Sequence, residues 1–279
     1  MIIDAHTHIF PDEVRQSRSN YFEGEGAFKL LYESDKARLA GADDLVACMD
    51  EQAVDKAVTF GFPWQQPDYV KRHNDYIIES QIRYPGRLIG FCCVDMYGPE
   101  PAREVERCLD AGLAGVGELA YYLAGIDEEA IKRLAPIMDI CRSADKPVML
   151  HTNEPVGHVY PGKTPVTMKQ IYNLALAFPD NRIILAHWGG GIFFFKLLKK
   201  DVKDVLKNIW FDSAASPYLY DKAIYRVAGM LAGTDKILFG TDFPLLQPKR
   251  YLSEIEGADL SDREKAMFLG ENAANLLGL

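Results

Sequence analysis

Apolar positions in this chain gather into short runs, and longer stretches of mixed polarity separate them. Eight runs read as strands, over 1–9, 56–62, 88–94, 115–119, 148–151, 182–187, 209–213 and 236–240. Most are almost continuously apolar, as strands are when both faces of their sheet are covered. Between them the apolar spacing turns helical. Helices are expected over 43–51, from Pro67 to the breaker pair Pro85-Gly86, over 99–109, 127–144, 168–178 and 218–231, and again at the C-terminal end. In the second of these, Tyr69, Val70, Ile77 and Ile78 form the expected buried stripe, and Pro136 is expected to kink the fourth. A further helix is expected in the Lys-rich stretch after Gly189-Gly190-Gly191.

Strands that alternate with helices pair in parallel through right-handed crossovers. Eight such units in 279 residues predict an α/β fold, a single (β/α)8 barrel domain over 1–279. An open doubly wound sheet is the alternative. It would place a Gly-rich phosphate loop after an early strand, and none occurs. Residues 11–41 are too long and polar for a simple connection and read as a lid inserted over one end of the fold.

The formal charge of −9 argues against a nucleic-acid partner, which needs clustered Lys and Arg. Lys196, Lys199, Lys200, Lys203 and Lys207 do cluster, but Asp201 and Asp204 interleave with them, so a solvated helix face is expected. Five cysteines with no CxxC pair fit a reducing, cytoplasmic setting. No long apolar run suggests a membrane partner.

Chemistry enters at the strand ends, where a barrel keeps its active site. In Asp4-Ala5-His6-Thr7-His8 the two histidines lie two apart on a strand and share a face. Glu118, His151, His187 and Asp242 close later strands. Imidazoles and carboxylates in this proportion suit zinc and similar divalent ions. Asp4 lies deeper on the same strand and reads as a supporting residue. His73, on a helix, reads as structural. Tyr121, Tyr122, Trp188 and Phe243 follow strand ends and are candidates for an apolar pocket. His158 is a candidate substrate contact, and Lys163 and Arg250 are candidates for holding a substrate carboxylate.

Four motifs together resemble the amidohydrolase superfamily, in its branch of metal-dependent hydrolases and decarboxylases. They are Asp4-Ala5-His6-Thr7-His8, His151-Thr152-Asn153, Ala186-His187-Trp188-Gly189-Gly190-Gly191 and Gly240-Thr241-Asp242-Phe243-Pro244. The C-terminal stretch from Gly270 to Leu279 resembles that branch too. The resemblance implies that His6, His8, His151 and Asp242 bind a divalent metal, with zinc the leading choice. His187 would bind a second ion or contact water and substrate. Where two-metal relatives carry a modified lysine, this chain has Glu118, so one ion is favoured and a Glu118-bridged pair is the alternative.

Such an ion lowers the pKa of water from ~15.7 toward ~7. The leading expectation is therefore hydrolysis of an amide, lactone or ester-like bond in a small molecule by activated water. Asp242 would accept a proton, and His187 would stabilise the oxyanion or shuttle a proton. The alternative is decarboxylation of an aromatic or unsaturated carboxylic acid. A third reading is a non-catalytic barrel that binds a small molecule around a structural metal. Homodimers are common among such barrels.

Overall fold

A computed structural model describes residues 1–279. Eight strands form one sheet in sequential order: β1 (Ile3–His8), β2 (Lys56–Phe60), β3 (Leu88–Cys92), β4 (Gly115–Leu119), β5 (Val148–Leu150), β6 (Ile183–Leu185), β7 (Ile209–Asp212) and β8 (Ile237–Leu238). Every neighbouring pair is parallel. The sheet closes on itself where Ala5 N–H donates to Phe239 O at 2.7 Å and His8 N–H donates to Phe243 O at 2.7 Å. This is a (β/α)8 barrel. Most of its strands are largely apolar because helices cover the outside and side chains fill the inside, while β1 carries Asp4, His6, Thr7 and His8. Ile183, Ile184 and Leu185 are buried on both faces.

The helices begin where short polar side chains accept their free N–H groups. Asp127 accepts from Ala130 N at the head of Glu128–Ser143, and Thr167 and Gln170 cap Met168–Ala177 reciprocally. Pro136 lies inside Glu128–Ser143, which runs continuously through it.

Two expected helices come out differently. After Ala186 five consecutive residues, His187 to Gly191, take positive φ, so the chain coils tightly and runs on as a 3-10 segment to Leu197. The Lys-rich stretch is then broken at Asp201 (φ 65°), and only Val202–Val205 is α-helical. Lys196 is not on a solvated face: its ammonium donates to Ala232 O at 2.6 Å. The helix expected over 218–231 is two pieces, Ser216–Leu219 and Ile224–Ala232, because Pro217 starts one early and Tyr220 is extended between them.

Residues 11–41 contain the helices Asp12–Gln16 and Gly26–Tyr32 with a 3-10 turn between them. They rest on a small core of their own, made by Phe10, Val14, Phe28, Phe62 and Trp64. The Arg18 guanidinium ties the following turn by donating to the carbonyls of Tyr32, Ser34 and Ala37.

His73 joins that small core to the barrel. On the helix Pro67–Arg83 the most buried positions are His73, Asn74, Ile77 and Ser80, so three polar residues sit where an apolar stripe was expected, and Ser80 Oγ donates to Tyr76 O at 2.7 Å. Each is satisfied: Asn74 exchanges hydrogen bonds with the backbone of Cys93. The Trp64 indole N–H donates to His73 Nδ1 at 2.8 Å, so Nε2 carries the ring proton and donates to Ile9 O at 2.7 Å. Burial lowers the pKa of His73 to about 4. A second ring proton would also face the indole N–H.

The unfolded chain therefore binds a proton that the folded one refuses, between about pH 6.5 and about 4. Stability should be full above that window and fall by about 3 kcal/mol as the pH drops through it. Urea unfolding at a series of pH values checks this, and His73→Gln, which cannot titrate, should flatten the dependence.

Candidate metal centre

The C-terminal ends of the strands place six side chains around one point. His6 and His8 come from β1, Glu118 from β4, His151 from just beyond β5, His187 from beyond β6 and Asp242 from beyond β8. His6 Nε2 and His8 Nε2 are 3.3 Å apart. Asp242 Oδ1 lies 3.6 Å from the first and 3.4 Å from the second. Glu118 stands between two groups. Its Oε2 is 3.8 Å from both His6 Nε2 and His8 Nε2, while Oε1 is 2.9 Å from His151 Nδ1 and 3.5 Å from His187 Nε2.

The outer nitrogen of each ring is already engaged. His6 Nδ1 faces Asp212 Oδ2 at 2.9 Å, and His187 Nδ1 faces Ala214 O at 3.0 Å. His151 Nε2 faces Gly162 O at 2.9 Å, and His8 Nδ1 makes a longer contact of 3.4 Å to Gly61 O. All four partners are acceptors, so each outer nitrogen carries the ring proton. A neutral imidazole has only one. The inner nitrogens then present bare lone pairs to one another and to two carboxylates, with no donor among them. Such a centre requires positive charge.

Without a metal, protons supply it. Burial opposes a charged His6, but Asp212, Glu118 and Asp242 outweigh it and raise its pKa to about 10. Burial likewise opposes a charged His187, and Glu118 and Asp242 raise it to about 9. Burial alone would raise both carboxylates. The histidines instead hold Glu118 well below the usual carboxylate range and Asp242 below its ordinary value. A divalent cation fits the same demand. Nitrogens at about 2.1 Å from a shared ion stand about 3.0–3.4 Å apart, which matches the His6–His8 spacing.

Sequence reasoning missed Asp212. It is fully buried; Oδ2 holds His6, and Oδ1 accepts from the backbone N–H of His187 at 2.9 Å and of Ala214 at 3.0 Å. The signal was present: it is the acid at the end of β7, by the same reading that found Glu118. Asp4 sits below, bound to the Thr241 hydroxyl and N–H and to His6 N–H. Burial outweighs these bonds and raises its pKa to about 7. It ties the turn that carries Asp242 to β1. Gly190 (φ +60°) lies against the loop after β5, and a Cβ there would stand 2.3 Å from Asn153 O.

A cavity of about 730 Å³ opens above the centre. Glu118, His8, His151, His187 and Asp242 form its floor, and Tyr32, Tyr122, Tyr160 and Tyr218 form much of its wall. His158 lines it, as do Lys36 and Arg38 from the 11–41 segment. Neither cation enters an ion pair. Five expected contacts do not reach it; Phe243 is buried in the main core. Trp188 is fully buried, donating to Ser216 Oγ at 2.9 Å and stacked against Phe268. The Tyr121 side chain turns into the main core and its neighbour Tyr122 faces the cavity, since consecutive side chains diverge. Lys163 is saturated by Glu154, Val156 O and His158 O. Arg250 donates to Pro217 O and lies over the Tyr218 ring. The five cysteines are free and buried, and Cys93 Sγ donates to the backbone carbonyl of Glu118 at 3.1 Å. No helix is long and apolar enough to cross a membrane.

The family model described as Amidohydrolase matches residues 3–279, and the chain belongs to that family. Among curated proteins it is 23% identical over 250 residues to a gamma-resorcylate decarboxylase of Polaromonas sp. (strain JS666 / ATCC BAA-500), covering 75% of this chain and 76% of that one. Among solved structures it resembles a manganese-bound 5-carboxyvanillate decarboxylase from Novosphingobium aromaticivorans, with a TM-score of 0.81 and 18% identity over 100% of this chain and 97% of that one. A probable 2-pyrone-4,6-dicarboxylic acid hydrolase from Acinetobacter baumannii aligns over 100% of this chain and 99% of its own, with a TM-score of 0.65 and 14% identity. A divalent metal accords with the side-chain cluster and with the manganese in that relative; zinc is one candidate among several.

Because protons and metal compete for the inner nitrogens, metal uptake should release protons. The apparent affinity should rise as the pH climbs from about 6 toward about 9. Calorimetry in buffers of different ionisation enthalpy counts the protons released. Asp212→Asn, which loses the acceptor that orients His6, should weaken binding about 10–100-fold. Trp188→Phe should leave metal affinity unchanged.

Proposed function

We infer that this chain is a metal-dependent decarboxylase of hydroxylated aromatic carboxylic acids. The observation that carries the reading is the lone-pair centre on the floor of a tyrosine-walled cavity, in a chain whose similar proteins include named aromatic-acid decarboxylases. Hydrolysis was the leading expectation although the ligand set does not separate the two reactions; these relatives favour decarboxylation.

His6, His8, His151 and Asp242 are the proposed ligands, with Glu118 beside them. A divalent ion held there supplies positive charge that binds and orients the oxygen atoms of an acid. The chain's own groups manage the proton. In decarboxylation the bond from ring carbon to carboxylate breaks, carbon dioxide leaves, the electron pair stays on the ring and one proton replaces it. His187 is the proposed donor: its Nδ1 is anchored on Ala214 O, which aims Nε2 into the site. Asp242, the more open carboxylate at 17% side-chain exposure, is placed to pass the replacement proton from the cavity. Tyr32, Tyr122 and Tyr160 flank an aromatic ring and keep bulk water from it. Lys36 and Arg38 attract an anionic substrate at the wall.

A second reading, hydrolysis with two ions, is favoured by the place of Glu118, whose two oxygens face separate histidine pairs.

Hydroxylated benzoic acids tested with metal-loaded protein should release carbon dioxide, and in deuterium oxide the product should carry one deuterium at the vacated carbon. His187→Asn should lower kcat about 10²–10⁴-fold while keeping its metal. Arg38→Ala should raise KM severalfold and leave kcat nearly unchanged. Release of an alcohol, amine or new acid group without carbon dioxide would overturn the reading in favour of hydrolysis. Metal content decides the ion count. About one ion per chain, retained in Glu118→Gln, supports a single site; about two, falling to one, makes Glu118 a bridge.

A further inference from the structure

The loop after β5 contains a polar network that proton transfer does not use. Asn153 and Thr164, both buried, close its base: Asn153 Oδ1 accepts from Thr164 N–H at 2.8 Å and from its hydroxyl at 2.6 Å. Residues 154–163 bulge out between them. Val156 and Val159 are 74% and 88% exposed, so apolar packing does not hold the tip of this loop.

Lys163 holds it instead. An ammonium has three N–H groups, and all three are used within the loop: on Glu154 Oε1 at 2.9 Å, Val156 O at 2.7 Å and His158 O at 3.3 Å. The other oxygen of Glu154 accepts from the Tyr160 hydroxyl at 2.8 Å. The Lys163 and Glu154 side chains are only 13% and 14% exposed, so solvent screens the pair weakly. The knot sets two outputs. Tyr160 and His158 face the cavity, and Gly162 O, one residue before the lysine, accepts from His151 Nε2.

We propose that Lys163 is a positioning residue for the metal centre: by gathering Glu154, Val156 and His158 it holds the Gly162 carbonyl on His151. That bond decides which nitrogen of the ring is protonated and leaves Nδ1 free toward Glu118. Without the ammonium the loop loses three bonds at once, the carbonyl drifts, and the imidazole can rotate or change tautomer. The proposal rests on His151 being a ligand. Outer partners of ligating histidines typically set metal affinity by 10–100-fold. An ion pair that served loop stability alone would leave metal affinity where it was.

The test is competition for Mn²⁺ and for Zn²⁺ against a chromophoric chelator, in protein whose fold is checked by circular dichroism. Lys163→Met should bind both ions about 10–100-fold more weakly than the parent chain. Glu154→Gln, which keeps one acceptor oxygen but loses the other and the charge, should show a smaller loss of the same sign. Folded Lys163→Met with parental affinity overturns the proposal. Should Lys163→Met not fold, parental affinity in Glu154→Gln overturns it equally. A parent chain that binds neither ion fails the metal-centre reading itself and the proposal with it, whereas a parent that binds and variants that match it fail the proposal alone.

Discussion

The centre of this molecule is an excess of lone pairs. Four imidazoles turn a bare nitrogen inward because their outer nitrogens are committed to acceptors, and two carboxylates join them. While the rings are neutral, nothing inside can donate. Much of the surrounding architecture serves to keep it so. Asp212 fixes His6 and the turn after β6 together, Asp4 fixes the turn after β8, and backbone carbonyls from three different loops fix His8, His151 and His187. Positive charge that enters relieves a repulsion the fold has already built in, which is why the same groups answer to both protons and metal.

The barrel was legible because most strands are nearly apolar runs and each is short. That pattern leaves few alternatives once eight units are counted. The six central residues were legible for a related reason: polar residues that end apolar strands stand out. Asp212 ends β7 in the same way and was overlooked, since no neighbouring motif drew attention to it. Side-chain direction beyond the strands was not legible. Tyr121 and Tyr122 are adjacent, and only the local backbone decides that the second faces the cavity. Trp188 sits inside a left-handed coil that no periodicity announces, and this coil buries its indole. The Lys-rich stretch carries helical spacing, but Asp201 breaks it and Lys196 finds a carbonyl on Ile224–Ala232.

Donor type does not separate hydrolysis from decarboxylation. Both want positive charge beside a carbonyl or carboxylate and a group that can hold a proton. The difference lies in what surrounds the centre: which faces are aromatic, where a second negative charge can rest, and whether water is admitted. In this chain those features come from the 11–41 segment, the loop after β5 and the segments that follow β4 and β7.

The cavity wall from residues 11–41 rests on Phe10, Val14, Phe28, Phe62 and Trp64, a cluster separate from the main barrel core. The floor and this wall are therefore supported by different sets of contacts. Mutations that reshape the wall draw on the stability of the smaller cluster and leave the strands that aim the ligands undisturbed. Selection can change which molecule is admitted without renegotiating the chemistry beneath it.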